Sequence, residues 1–392
     1  MEDWQRNAAR ALGFAAGAAA VGAVGVVAGG VALARMAVTP EQEAESPVTV
    51  VGLQREGTAT LVRLRGVDCD LPGRYSLVFD RGAGHARLGP VLASGRDGTI
   101  RELLRVDRGE PRAGMPARLT GWWYTSPDEL GYAAERIAYP TELGDAEAWI
   151  VHPARARKKR WAVHVHGRGA PPEEALRGVA PLARAGITSL VISYRNDPGA
   201  PSGVNGRYGV GVSEARDVDA AIAEARRRGA QRVTLFGWSM GGTAALVTAT
   251  RGAHRDVIDG VILDSPAVDW SELLRYHAAG RRAPRLVAEL GIRLLWQGRV
   301  RGGEDGGIAF DSLNAAAFGR ELRVPVLIHA SEQDTFVPCS GAQRLAEERP
   351  DLVQLRLQRH GEHVKLWNVD PEPWERVTEQ FARALPRPAW RG

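Results

Sequence analysis

"TLFGWSMGGTAALVTAT", residues 234–250, passes from an apolar stretch through a Gly-Trp-Ser-Met-Gly-Gly cluster into an alanine-rich segment with no helix breaker. A Gly-x-Ser-x-Gly pentapeptide is weak evidence alone, because a glycine-rich chain produces it by chance. Its setting is more specific: a strand-like "VTLF" enters the turn and a helix-like run leaves it, as a nucleophile elbow requires. So tight a turn forces the backbone at Ser239 out of the ordinary regions, and glycine is needed at 237 and 241, where side chains would collide. Ser239 then sits at a helix N-terminus, where the Met240 N–H is placed to meet a developing oxyanion.

A serine hydroxyl needs a base to take its proton, and the base needs an acid to orient it. Downstream, "VPVLIHASEQDTFVP" (324–338) places Asp334 in the loop after an apolar strand, and "RHGEHVKLW" (359–367) places His363 after the strand-like "LVQLRLQ". Asp264, after "GVIL", is the rival acid and His360 the rival base. Upstream, period two in "WAVHVHG" puts Trp161, Val163 and Val165 on one face and His164 and His166 on the other. The glycines of Gly167-Arg168-Gly169 free the backbone to turn N–H groups inward, making the Arg168 N–H the candidate second oxyanion donor. His164 reads as an interior histidine and His166 as a brace for this loop. The Arg168 side chain faces either an acidic substrate group or solvent.

Outward from these motifs, "AWIVH", "WAVHVHG", "ITSLVIS", "RVTLFG", "GVILD" and "VPVLIHA" are short apolar runs with helix-like stretches between several of them. Strands buried on both faces and joined by helices predict an α/β fold with a mostly parallel, doubly wound sheet, and the chemically suggestive residues fall at the carboxyl ends of its strands. About 60 residues separate "GVILD" from "VPVLIHA", longer than an ordinary connection. Helix-like runs at Trp270–Ala279 and Pro284–Trp296 predict a helical insertion over about 266–320, either a lid, with Leu290, Leu294 and Trp296 as a candidate apolar wall, or a helical hairpin packed on the core. "RVRGGEDGG" (299–307) reads as a mobile loop, and Trp374, Val377, Phe381 and Leu385 as the buried face of a closing helix.

Residues 41–140 differ in rhythm. Alternating runs ("VTVVGL", "ATLVRLRG", "YSLVFD") separated by Gly, Pro and Asp predict a small β-rich domain ahead of a larger one at 141–392. Trp122, Trp123 and Tyr124 near its end read as packing residues.

Before it, 24 residues from Ala11 to Ala34 carry no charge, enough for a membrane-crossing helix, which needs roughly 20. Ala and Gly leave the run only marginally apolar. The expectation for 1–40 is a retained single-pass membrane anchor, with a cleaved signal segment as the competing reading. Gly13/Gly17 and Gly25/Gly29 are two small-residue pairs suited to close helix approach. Arg6 and Arg10 before the span and Arg35 after it bias the chain toward an extracytoplasmic catalytic domain.

Composition excludes little. Of 51 basic residues 48 are arginine, interspersed with 46 acids, a solvated-surface pattern that argues against a nucleic-acid partner. The one dense basic run, "RARKKR" (155–160), reads as a solvated hairpin. Cys69 and Cys339 allow one disulfide at most and have no metal-ligand spacing.

Together "HGRG", "YRND", "GWSMGG", "SEQD" and "GEHVKLWNVDP" resemble the α/β-hydrolase superfamily, in particular its serine aminopeptidase-like and lysophospholipase-like members, from roughly Asp145 onward. The chain order Ser239, Asp334, His363 is also theirs. "LPGRYSLVFDRG" resembles the extra domain that some bacterial members carry ahead of the hydrolase. The resemblance implies an acyl-enzyme mechanism on a small acyl substrate, without metal or organic cofactor. Ser239 would attack, His363 would shuttle the proton, Asp334 would orient it, and Met240 and Arg168 would bind the oxyanion. Hydrolysis of an ester, thioester or amide, acyl transfer by the same triad, and a non-catalytic binding role are the functions to be separated.

Overall fold

The computed structural model describes residues 23–40, 46–156 and 159–386. Its first β unit is a closed antiparallel barrel of β1 (Val48–Glu56), β2 (Ala59–Gly66), β3 (Tyr75–Phe79), β4 (Gly84–Gly95), β5 (Gly98–Arg108) and β6 (Pro116–Thr120), in the order β1-β2-β5-β4-β3-β6. Alternation along the strands turns Val50, Val62, Leu64, Leu77 and Leu88 into a common interior, and pairing of β1 with β6 leaves no open sheet edge. Among the described residues, two arginines are buried in this unit, Arg87, which is paired with Asp107 and Glu129, and Arg101. Arg101 is fully buried, and its guanidinium donates to the carbonyl oxygens of Cys69 (2.9 Å), Gly73 (3.0 Å), Gly89 (2.8 Å) and Leu71. It pins the β2–β3 loop from beneath.

The second unit is an eight-stranded sheet of β7 (Ala133–Thr141), β8 (Gly144–His152), β9 (Arg160–Val165), β10 (Thr188–Ile192), β11 (Arg232–Trp238), β12 (Ile258–Asp264), β13 (Val326–Ser331) and β14 (Val353–Gln358), ordered β14-β13-β12-β11-β9-β10-β8-β7. Neighbours from β10 to β14 run parallel, and β7 and β8 complete the edge antiparallel. Although β7 begins within the stretch expected to belong to the β-rich domain, it pairs along its whole length with β8. The strands on either side of the basic run, β8 and β9, do not pair as a hairpin, because β10 lies between them. Nor is the end of that run solvated: Arg160 is buried, with its guanidinium on Asp259 (3.2 Å) and the Ala382 carbonyl (3.1 Å).

Helices are numbered from the N-terminal side, α1 being the helical residues 23–38. They continue with α2 (Val179–Arg184), α3 (Glu214–Arg227), α4 (Met240–Arg251), α5 (Trp270–Gly280), α6 (Arg285–Trp296), α7 (Ala315–Glu321), α8 (Ser340–Glu348), α9 (Leu366–Val369) and α10 (Pro371–Ala384). One face of the sheet is covered by α3, α4, α7 and α8 and the other by α2 and α10. Burial on both sides explains why the central strands are apolar throughout. In β9, Trp161, Val163 and Val165 face the first layer, while His164 stacks on Phe236 and Trp238 of the second.

The expected membrane-crossing helix is described only in part. Residues 11–22 of that run lie outside the described residues, and among the described residues no helix is long and apolar enough to cross a membrane. Helix α1 instead lies on the lid. Gly30 abuts Leu290, and Gly291 of α6 abuts the Gly30 carbonyl, so closely that a Cβ on either would press its neighbour aside by a few tenths of an ångström. Leu33, Ala34, Ala37 and Val38 join the main core, where burial of Leu33 or Val38 contributes about 1.5–3 kcal/mol each. Of the small-residue pair Gly25/Gly29, only Gly29 meets a neighbour among the described residues, Val287. Segment 299–307 is tethered as well, through Asp305 to Arg216 (2.6 Å).

Candidate active site

Ser239 sits between β11 and α4 with φ of 51°, a left-handed strain that a non-glycine residue adopts only when its surroundings impose it. Backbone atoms impose it here. A Cβ on Gly237 would collide with the Gly241 carbonyl, and one on Gly241 would collide with the carbonyls of Val165 and His166. The Ser239 N–H donates to the Asp264 carbonyl (3.0 Å), and its own carbonyl accepts from Gly242 (3.0 Å) and Ala267 (3.2 Å). The hydroxyl is thereby aimed out of the sheet, 8% exposed.

His363 meets it there. Its Nε2 lies 2.8 Å from Ser239 Oγ and its Nδ1 lies 2.8 Å from Asp334 Oδ2. The other Asp334 oxygen accepts the N–H groups of Phe336 (2.9 Å) and Val337 (2.7 Å), which fixes the carboxylate's orientation. The His363 loop is held by the Val364 N–H on Ser265 Oγ (3.1 Å) and by Arg177 on the Val364 carbonyl (2.7 Å). Burial disfavours the imidazolium of His363, but the charge and hydrogen bond of Asp334 outweigh burial and raise its pKa above the ordinary 6.5.

The rivals are placed elsewhere. Asp264 is buried, its carboxylate accepting from Trp374 Nε1 (2.9 Å) and Ser265 Oγ (3.1 Å), and burial pushes its pKa up to about 6. His360 is exposed and 3.3 Å from Gln333.

Met240 opens α4, where first-turn N–H groups have no partner within the helix. Arg168 follows β9, and Met240, Arg168 and Ser239 line one cavity. The Arg168 guanidinium is tied back to the chain. It donates to the carbonyls of Met36 (2.8 Å) and Thr39 (3.0 Å), at the C-terminal end of α1. His166 does brace the loop: Nε2 is on Asp197 (2.8 Å) and Nδ1 on the Gly167 carbonyl (2.9 Å). Two acceptors on one ring fit the doubly protonated form, and although burial opposes it, Asp197 raises the pKa. His164 is interior, hydrogen-bonded to Ser189 (2.9 Å) and depressed by burial to about 3.

Sequence reasoning missed several supports. Glu174 accepts the Gly167 N–H (2.7 Å) and Trp122 Nε1 (3.2 Å), and Tyr194 donates to the Gly167 carbonyl (2.9 Å). Tyr194 and Asp197 belong to "YRND", where a signal was present without a role. Trp123 and Tyr124 do pack, against Trp367, at ring separations of 6.3 and 6.0 Å.

Two cavities flank Ser239. One, of about 440 Å³, is walled by Met36 and Ala37 of α1, Trp270, Leu273 and Leu274 of α5, and Phe336. The expected wall of Leu290, Leu294 and Trp296 is corrected: Leu290 packs on Gly30, Leu294 on the core, and Trp296 is 57% exposed. Helical periodicity marks the apolar face of α6, but α1 occupies it. The other cavity, of about 390 Å³, reaches His363 and is lined by Asp68, Glu174, Glu362 and Lys365. Among the described residues no group of three or more His, Cys, Asp or Glu is placed to hold a metal ion, and Cys69 and Cys339 are free thiols.

A family profile described as "Alpha/beta hydrolase family" matches residues 162–381, and one described as "Domain of unknown function (DUF8805)" matches residues 49–120. The uncharacterized protein YqkD of Bacillus subtilis (strain 168) is 26% identical over 155 residues, which are 38% of this chain and 47% of that one, so the match spans about half of that relative. The esterase Pf2001 of Pyrococcus furiosus superposes with a TM-score of 0.51 in each of two crystal forms, P21 and P212121, at 17% identity. The superposition covers 67% of this chain and 96% or 95% of the esterase. At that identity the likeness is one of fold.

Proposed function

The chain belongs to the alpha/beta hydrolase family, and from that premise we propose that it is a serine hydrolase cleaving a carboxylic ester, thioester or amide through an acyl-enzyme. The observation that carries the reading is the unbroken line of hydrogen bonds from Ser239 Oγ through both His363 nitrogens to Asp334. In it, neutral His363 takes the Ser239 proton as Oγ bonds to the acyl carbon. The Met240 and Arg168 N–H groups stabilise the oxyanion, and Asp334 stabilises the imidazolium. The imidazolium protonates the leaving atom as its bond to carbon breaks. Water, deprotonated by the same histidine, then releases the acid and restores Ser239. Strain at Ser239 and burial of the acid and base are the investments expected of such a site.

A fluorophosphonate probe tests the proposal: wild type labels and Ser239→Ala does not. Labelling of neither would return the chain to a binding role. Adding a competing alcohol to the assay separates hydrolysis from acyl transfer by the product formed.

The pH dependence has a definite sign. The base is active only when neutral, so kcat/KM rises with pH through the pKa of His363, which Asp334 holds above 6.5. The acid limb is expected to have its midpoint above that value. Removing the charge in Asp334→Asn leaves burial as the dominant influence and moves the midpoint down. A profile of kcat/KM from pH 5 to 9 checks both.

A further inference from the structure

The polar cavity beside Ser239 takes one of its walls from the barrel. Of the two cavities it is the one that reaches His363, and the group that returns the serine proton must face the departing atom. On the proposed serine-hydrolase reading, which this inference rests on, the apolar cavity therefore takes the acyl chain and the polar cleft takes the leaving group.

Val67 and Asp68, at the start of the β2–β3 loop, line that cleft together with Glu362 and Lys365. This wall is built into the fold. Arg101 holds the loop through the carbonyls of Cys69, Leu71 and Gly73. The Asp68 carboxylate pairs with the Lys365 ammonium, two residues from His363. At the loop's far end the Arg74 N–H donates to the Asn368 carbonyl (3.0 Å), and Asn368 Nδ2 donates to the Arg74 carbonyl (2.9 Å). The Arg74 guanidinium lies 4.7 Å from the ring centre of Trp367.

We propose that the barrel is the leaving-group recognition element of the site, and that its β2–β3 loop selects a polar leaving group bearing hydroxyl or protonated amine donors. The chemistry of the lining supports this. Three carboxylate side chains (Asp68, Glu174 and Glu362) line the cleft with two basic ones (Arg168 and Lys365), so carboxylates outnumber bases, and carboxylates prefer N–H and O–H donors. As Ser239 Oγ bonds to the acyl carbon, the bond from that carbon to the leaving oxygen breaks. Its electron pair stays on the oxygen, which receives from His363 Nε2 the proton taken from Ser239. The substrate is thus an amphiphile, apolar on its acyl side and donor-rich on the other.

The test compares glyceryl, 2-(dimethylamino)ethyl and n-butyl esters of one fatty acid, read as ratios of kcat/KM for the full chain. Wild type is expected to prefer the first two over n-butyl by about tenfold. Asp68→Asn should lower that preference several-fold, while the preference among acyl lengths for a common leaving group stays put. Leu273→Trp, in the apolar cavity, should do the reverse. Val67 keeps the test independent of the Asp68–Lys365 pair: Val67→Asp should raise and Val67→Arg lower the preference for the dimethylaminoethyl ester, with unchanged thermal midpoints. A wild type that labels with fluorophosphonate yet hydrolyses all three esters alike, or Val67 charge variants without effect, overturns the inference alone. An enzyme that neither labels nor hydrolyses any of them overturns the parent reading as well.

Discussion

Ser239→Ala is expected to lower turnover by on the order of a millionfold, because in the proposed mechanism nucleophile, base and acid act as one unit. The positive φ at Ser239 is imposed by contacts of Gly237 and Gly241 with neighbouring backbone, and alanine bears it no worse than serine. The variant should therefore fold, and an unchanged thermal midpoint would attribute its loss to chemistry. His363→Ala should lose about as much, and the double variant little more. The residue of activity would come from the oxyanion donors and from binding. Turnover measured with a p-nitrophenyl ester checks all three variants. Any Ser239→Ala preparation within tenfold of wild type would rule the serine out as nucleophile.

Asp334→Asn should cost on the order of ten-thousandfold in kcat. The carboxylate cannot swing away, since the N–H groups of Phe336 and Val337 hold one oxygen while the other meets His363 Nδ1. An amide in the same place turns its NH2 toward Nδ1, which selects the tautomer with the proton on Nε2 and leaves no base facing Ser239. Asp264→Asn is the contrasting variant. Its carboxylate accepts from Trp374 and Ser265, and an amide oxygen can keep one of those bonds, so less than a tenfold change is expected. A reversal of the two effects would move the acid to Asp264.

The three central side chains were legible because each is announced locally. A strand runs into Gly237-Trp238-Ser239, a strand runs into the loop of Asp334, and another into the loop of His363, and a parallel sheet brings the carboxyl ends of β11, β13 and β14 to one edge. What escaped reading depended on distant partners. An apolar run such as Ala11–Ala34 satisfies lipid and protein interior equally, so the chain alone could not show that Leu33 and Ala34 would be covered by the lid. The same ambiguity misplaced the apolar wall: α6 has the right periodicity, but its apolar face meets α1, and α5 lines the cavity. Arg160 sits in a run that reads as solvated, and its counterion, Asp259, is 99 positions away. Arg168 was read for its backbone and its surface, whereas its guanidinium ends on the carbonyls of Met36 and Thr39.

That bond between Arg168 and the end of α1 has a bearing on biosynthesis. Residues 36–39 leave the ribosome early, Arg168 later, and His363 later still, yet all three regions border the same hydroxyl. Under the proposed triad, a nascent polypeptide can complete its barrel and most of its sheet while remaining chemically silent, and translation arrested anywhere before residue 363 releases a product lacking the base proposed to activate Ser239.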